Sequence, residues 1–183
     1  MPTLSYEKKR TILLGLAFLA LLILASLENT LFFAVLNEVL SNQFLAVGML
    51  FLHNILVISL ILLGMTFYVN LVLNFFIKGK YERIVIEHPG TFALVFTVMI
   101  IFLSILRGST LIYGGVSVDK IPLIILISAP IGIVEGYGIY LTIKKTLSRT
   151  MSMKDLAYIY GIFLIAAVME VAFINLLIWA STG

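Results

Sequence analysis

The sequence predicts an all-α fold: a polytopic transmembrane helix bundle of about five spans, with an amphipathic, interfacial helix after the first. Three observations predict it. Of 183 residues, 62% are hydrophobic and 11% charged, against about 25% charged in soluble chains. The mean hydropathy of +1.17 leaves too little polar sequence to clothe a soluble core. Apolar stretches also recur at about the 20-residue length that crosses a bilayer. Residues 1–183 read as a single transmembrane domain, with no repeat, low-complexity stretch or soluble insert.

The first predicted span covers 11–27, behind the basic start MPTLSYEKKR. Ala25 and Ser26 are small enough for a cleavage site, but Leu27-Glu28-Asn29 is a poor sequel, so the segment reads as a retained helix. Residues 28–45 (ENTLFFAVLNEVLSNQFL) mix apolar positions at helical spacing with Glu28, Asn29, Asn37, Glu38, Ser41 and Asn42. That pattern predicts an interfacial elbow. The second span, 46–77, is overlong: one straight helix would run about 48 Å through a hydrocarbon layer of about 30 Å. It must tilt, break or project, and Gly64 and the pair His53-Asn54 are the expected break points. Three further spans follow at 91–106, 121–143 and 156–180.

Charge placement orients the spans. Lys8, Lys9, Arg10, Lys78, Lys80, Arg83, Lys144, Lys145, Arg149 and Lys154 fall on one side, and only Arg107 and Lys120 on the other. The positive-inside rule then puts the N-terminus in the cytoplasm and the C-terminus outside a cell membrane. A sixth span within 28–45 would invert all that follows and spoil the asymmetry. The basic loops suit anionic lipid, not nucleic acid.

Glu135, in SAPIGIVEGYGIY (128–140), and Glu170, in LIAAVMEVAFIN (164–175), sit near the middle of the last two spans. A carboxylate at that depth costs roughly 2.5–3.5 kcal/mol or more, so it faces the bundle interior and often marks function. One reading makes the pair ligands for an ion, proton or substrate; the other makes them hydrogen-bond partners that lock helices together. His53 and Asn54, with Asn70, Asn74 and Tyr137, are the candidate companions. Straight antiparallel helices put the two glutamates roughly 7–8 Å apart in depth. Ser128, Gly132 and Gly136 form a small-residue packing stripe beside Glu135, and Pro130 is expected to kink the helix.

Several chemistries lack their residues. There is no cysteine, hence no thiol or Cys-based metal site. HExxH, HxxxH and GxSG are absent, no His and carboxylate set has metal-ligand spacing, and Asp119 and Asp155 flank spans. GYG at 136–138 lies within a membrane helix and is no nucleotide loop. His88, before Pro89-Gly90, reads as the start of the third span. No cofactor, catalytic residue or metal is expected.

The segments HN (53–54) with the run to Gly64 and Asn74, APIGIVEGYGIYL, and LIAAVMEVAFI together resemble the stage II sporulation protein M family of small integral membrane proteins. The family's Pro-His-Gly-x-x-Glu block is matched by Pro130, Gly132 and Glu135, with Ile131 in the histidine's place. Its closing motif maps onto Ala166, Ala167, Glu170 and Phe173, with Asn175 and Leu176 where a proline is usual. The resemblance implies a multi-span scaffold without enzyme chemistry. The expected function is thus a non-catalytic, partner-organising component of a membrane complex, acting as a homo-oligomer or with other membrane proteins. The alternative is a small transporter or permease subunit built around Glu135, Glu170, His53 and Asn54, because broken helices line substrate sites. An intramembrane enzyme ranks last.

Overall fold

The computed structural model describes residues 6–39, 42–75, 85, 87–113 and 118–182. They form five long helices: α1 (Tyr6–Val39), α2 (Gln43–Phe75), α3 (Pro89–Tyr113), α4 (Ile121–Leu147) and α5 (Met153–Thr182), with a short 3-10 turn (Val118–Lys120) leading into α4. Among the described residues there is no strand. Among the described residues, four helices are long and apolar enough to cross a membrane, over Tyr6–Glu28, Gln43–Val72, Pro89–Leu106 and Met153–Asn175. α4 has 27 residues, about 40 Å at the helical rise. Lys78, Lys80 and Arg83 lie outside the described residues, as does the side chain of Asn74.

Two local expectations differ from the structure. No separate elbow begins at residue 28: α1 continues unbroken to Val39. Glu28 does not interrupt it, because His53 on α2 supplies a partner for its carboxylate. Likewise α2 is one helix of 33 residues, about 50 Å long, and breaks neither at His53-Asn54 nor at Gly64. Several polar side chains within the helices bond to the carbonyl one turn back, the local satisfaction available to Thr and Asn in an apolar setting. Thr66 donates to the carbonyl of Leu62 (2.7 Å), Asn70 to that of Thr66 (2.8 Å), and Thr142 to that of Gly138 (2.8 Å). α4 also stays helical through Pro130, whose half of the helix is flanked by the Ser128 hydroxyl donating to the Ile124 carbonyl at 2.8 Å.

The helix ends are well specified. Asn42 caps α2, accepting from the Leu45 amide (3.3 Å), and α3 starts with Pro89 at its first position, the His88 carbonyl accepting from Phe92 (3.1 Å). α4 closes in a Schellman motif: the Thr150 amide reaches the Lys145 carbonyl (2.9 Å) and the Arg149 amide that of Thr146 (3.1 Å). Arg149 holds the left-handed position (φ 57°) that usually falls to glycine. Three residues on, Ser152 and Asp155 form a capping box that starts α5, the Ser152 amide donating to Asp155 Oδ2 (3.0 Å) and the Asp155 amide to Ser152 Oγ (3.2 Å). Lys145 Nζ meets Asp155 Oδ1 at 2.8 Å, pinning the α4–α5 corner.

α2, α4 and α5 pack against one another as a central trio; α1 lies along α2, and α3 along α4. Ile58, Ala93, Ile139, Ile143, Ile159 and Phe163 make the main core. Val39, Ala46, Leu50, Ala167 and Val171 make a second one nearer the α1–α2 connection. The outward faces stay apolar: Leu16, Leu19, Ile23 and Leu27 on α1 and Val95, Val98 and Phe102 on α3 are all exposed, a surface that suits acyl chains and not water. α1 and α2 are keyed by two reciprocal sockets. The Phe67 ring lies over Gly15 and the Phe18 ring over Gly64, so that a Cβ at either glycine would stand 2.9 or 2.8 Å from the facing ring. The two rings stack with centroids 6.3 Å apart. Gly64 is therefore a docking socket and not a hinge.

Candidate intramembrane polar site

Asn54 is the most buried of the intramembrane polar side chains singled out by the sequence, 9% exposed. Its Nδ2 donates to Glu135 Oε1 at 3.5 Å, linking α2 to α4. Glu170, on α5, lies within electrostatic range of Glu135. Each helix of the central trio thus contributes one polar side chain. The cluster is closed off along the bundle axis. One turn to one side of Asn54, Leu50 packs with Ala167 and Val171. One turn to the other, Ile58 packs with Ile139 and Phe163. Apolar layers above and below lower the local dielectric, which strengthens a satisfied hydrogen bond and makes an unsatisfied one costly.

His53 does not join this cluster. Consecutive helical residues point about 100° apart, and where Asn54 faces α4, His53 faces α1. Its Nδ1 lies 2.9 and 3.1 Å from the two Glu28 carboxylate oxygens. This pair stands in an open groove between α1 and α2 lined by Leu22, Ser26, Leu56 and Leu60 among others, with a volume near 560 Å³. The polar residues expected at one site therefore occupy two. Glu28 was missed as a partner because its setting among Asn29, Asn37 and Glu38 read as a helix interruption. A signal was present: Glu28 and His53 stand at nearly equal sequence distances from the α1–α2 connection, so antiparallel helices bring them level.

The small-residue stripe is also divided. Gly136 packs against α3, where a Cβ would stand 2.7 Å from Ile101 Cδ1. Gly132 faces open space, with nothing within 4 Å of the same position. Tyr137 is half exposed: it borders the α3–α4 groove, and its hydroxyl pairs with that of Tyr158 on α5. Thr97 on α3, which the sequence gave no reason to notice, is buried and its Oγ1 has no hydrogen-bond partner among the described residues. No group of three or more His, Cys, Asp or Glu side chains is placed to hold a metal ion among the described residues.

What these features define is a class: a helical protein in which four helices among the described residues are long and apolar enough to cross a membrane, with a small polar cluster at the meeting of three helices. A particular relative does not follow, for no family model, curated protein or solved structure matches the chain.

Proposed function

We propose that this chain is a non-catalytic integral membrane protein of five spans that organises partner proteins in a cell-membrane complex. α4 supplies the fifth span, and the basic loops hold the N-terminus in the cytoplasm with the C-terminus outside. One observation carries the reading: the Asn54–Glu135 contact, with Glu170 beside it, is sealed between the Leu50 and Ile58 layers. The grooves between α1 and α2 and between α3 and α4 lie elsewhere, and none of these three residues lines them. A polar cluster built this way is suited to fixing the register of three helices, and a rigid core of that kind suits a platform. The likeness of residues 129–141 and 164–174 to stage II sporulation protein M motifs supports the same role.

A transporter is the second reading, favoured by two carboxylates in electrostatic range of each other inside the bundle, one of them bonded to Asn54. The substitutions Glu135→Gln and Glu170→Gln separate the two, since both keep size and hydrogen bonding while removing the negative charge. A scaffold keeps its assembly state in both variants, by size-exclusion chromatography in detergent, and wild-type proteoliposomes show no proton or sodium flux. Flux in the wild type that either variant abolishes would overturn the scaffold reading. Thr182→Cys tests the span count: labelling by an impermeant maleimide from outside intact cells supports five spans, and labelling only after permeabilisation refutes them.

A further inference from the structure

The α3–α4 face carries a groove of about 430 Å³ that the polar cluster does not use. Its α4 wall repeats at helical spacing: Ser128, Gly132, Gly136 and Tyr140. Lys144 is the next position in that series, so it stands at the groove's end, exposed. Its Nζ lies over the Tyr140 ring, 5.4 Å from the centroid, within cation–π reach. The neighbouring Lys145 is already engaged by Asp155. The groove therefore has an apolar slot with a cation above its mouth, and Lys144 lies in the last turn of α4.

We infer that this groove binds one anionic phospholipid, an acyl chain lying along Gly132 and Ser128 and the phosphate meeting Lys144. Four observations select that occupant. The slot is unfilled at Gly132, where nothing approaches a Cβ position within 4 Å. A second helix is a poor fit, because close helix approach uses two small residues four apart, and Ile101 of the same chain already covers Gly136. A flexible chain needs only the remaining narrow slot. The charge at the mouth is complementary to a phosphate, as basic side chains at a membrane surface are to anionic headgroups. Finally, Thr97 lines the groove opposite Gly136, and its buried hydroxyl lacks a partner among the described residues. Tyr140 and Gly136 are one turn apart, about 6 Å along the axis, so an ester carbonyl below a phosphate held at Tyr140 and Lys144 falls near the level of Thr97. The inference rests on the chain lying in a bilayer and stands apart from the scaffold reading.

The test is native mass spectrometry of the full chain in detergent, titrated with palmitoyl-oleoyl phosphatidylglycerol or the matching phosphatidylcholine. The wild type retains phosphatidylglycerol in preference. Lys144→Gln, a change on an exposed side chain, lowers that preference about fivefold without changing phosphatidylcholine retention. Gly132→Leu fills the slot and lowers retention of both lipids. Gly161→Leu, at a glycine on α5 that also has open space around it, changes neither. The proposal is overturned if Gly132→Leu retains lipid as the wild type does, or if Lys144→Gln leaves the preference intact. It is equally overturned if Gly132→Leu alters the oligomer mass while the lipid count stays the same, which would make the groove an interface between copies of this chain.

Discussion

Replacing Gly64 by alanine should loosen α1 from α2. In the structure a Cβ at this position stands 2.8 Å from Phe18 Cε2, 3.3 Å from Cζ and 3.4 Å from Cδ2. Carbon atoms pack at about 3.5–4.0 Å, so the ring must withdraw by roughly an ångström. It has little room to do so, because it stacks on Phe67 at 6.3 Å, and Phe67 is itself seated on Gly15. The expected cost is that of overpacking, about 1–3 kcal/mol. The check is reversible unfolding of the full chain in mixed micelles, by titrating a denaturing detergent and following helicity. Phe18→Leu in the Gly64→Ala background shortens the offending ring, so the double variant should be more stable than the sum of the singles by about 1 kcal/mol. A Gly64→Ala variant within about 0.5 kcal/mol of wild type, or strict additivity with Phe18→Leu, would refute the socket.

Three further outcomes are expected. Arg149→Gly removes a side chain from the left-handed position at the end of α4 and should stabilise by about 1 kcal/mol in the same titration; loss of stability would mean that Arg149 is held by contacts worth more than the strain. Thr97→Val replaces an unpartnered buried hydroxyl with a methyl of similar shape and should stabilise the lipid-free protein by about 1 kcal/mol, a gain that shrinks when phosphatidylglycerol is added. Glu28→Leu and His53→Leu should show a coupling of about 1 kcal/mol in a double-mutant cycle, whereas additive effects would mean that the 2.9 Å contact does not hold α1 to α2.

The helical class was legible because it depends on composition and on the length of apolar runs, both local properties. Stretches 46–77 and 156–180 correspond closely to α2 and α5. The boundary after residue 27 was not legible, since a polar residue reads as the end of a span unless its partner is known, and the partner of Glu28 is 25 positions away. Gly64 failed similarly. A glycine in a helix signals either a weak point or a close approach, and only the facing Phe18 decides between them. Within the polar set, the inward turn of Glu135 followed from the cost of exposing it to lipid. The separation of His53 from Asn54 needed the positions of α1 and α4 around α2.

That separation also lets α2 tie two different neighbours into the bundle. Its polar pair faces two ways: His53 holds α1 through Glu28, and Asn54 holds α4 through Glu135. The apolar residues follow the same division, with Gly64 and Phe67 turned to α1 and Leu50 and Ile58 turned to α5 and α4. In a bilayer, helices gain little from burying apolar surface against one another, because lipid is equally apolar; close packing and interhelical hydrogen bonds decide the arrangement. α1 depends on both devices at its main partner, α2, and most of its other face is exposed. The bundle should therefore come apart in order, α1 leaving α2 before the α2–α4–α5 trio opens. Hydrogen exchange in micelles can test this: amides of α1 should lose protection at lower denaturing-detergent content than those of α4 around Glu135. Simultaneous loss would show that the trio has no stability of its own beyond the contact with α1.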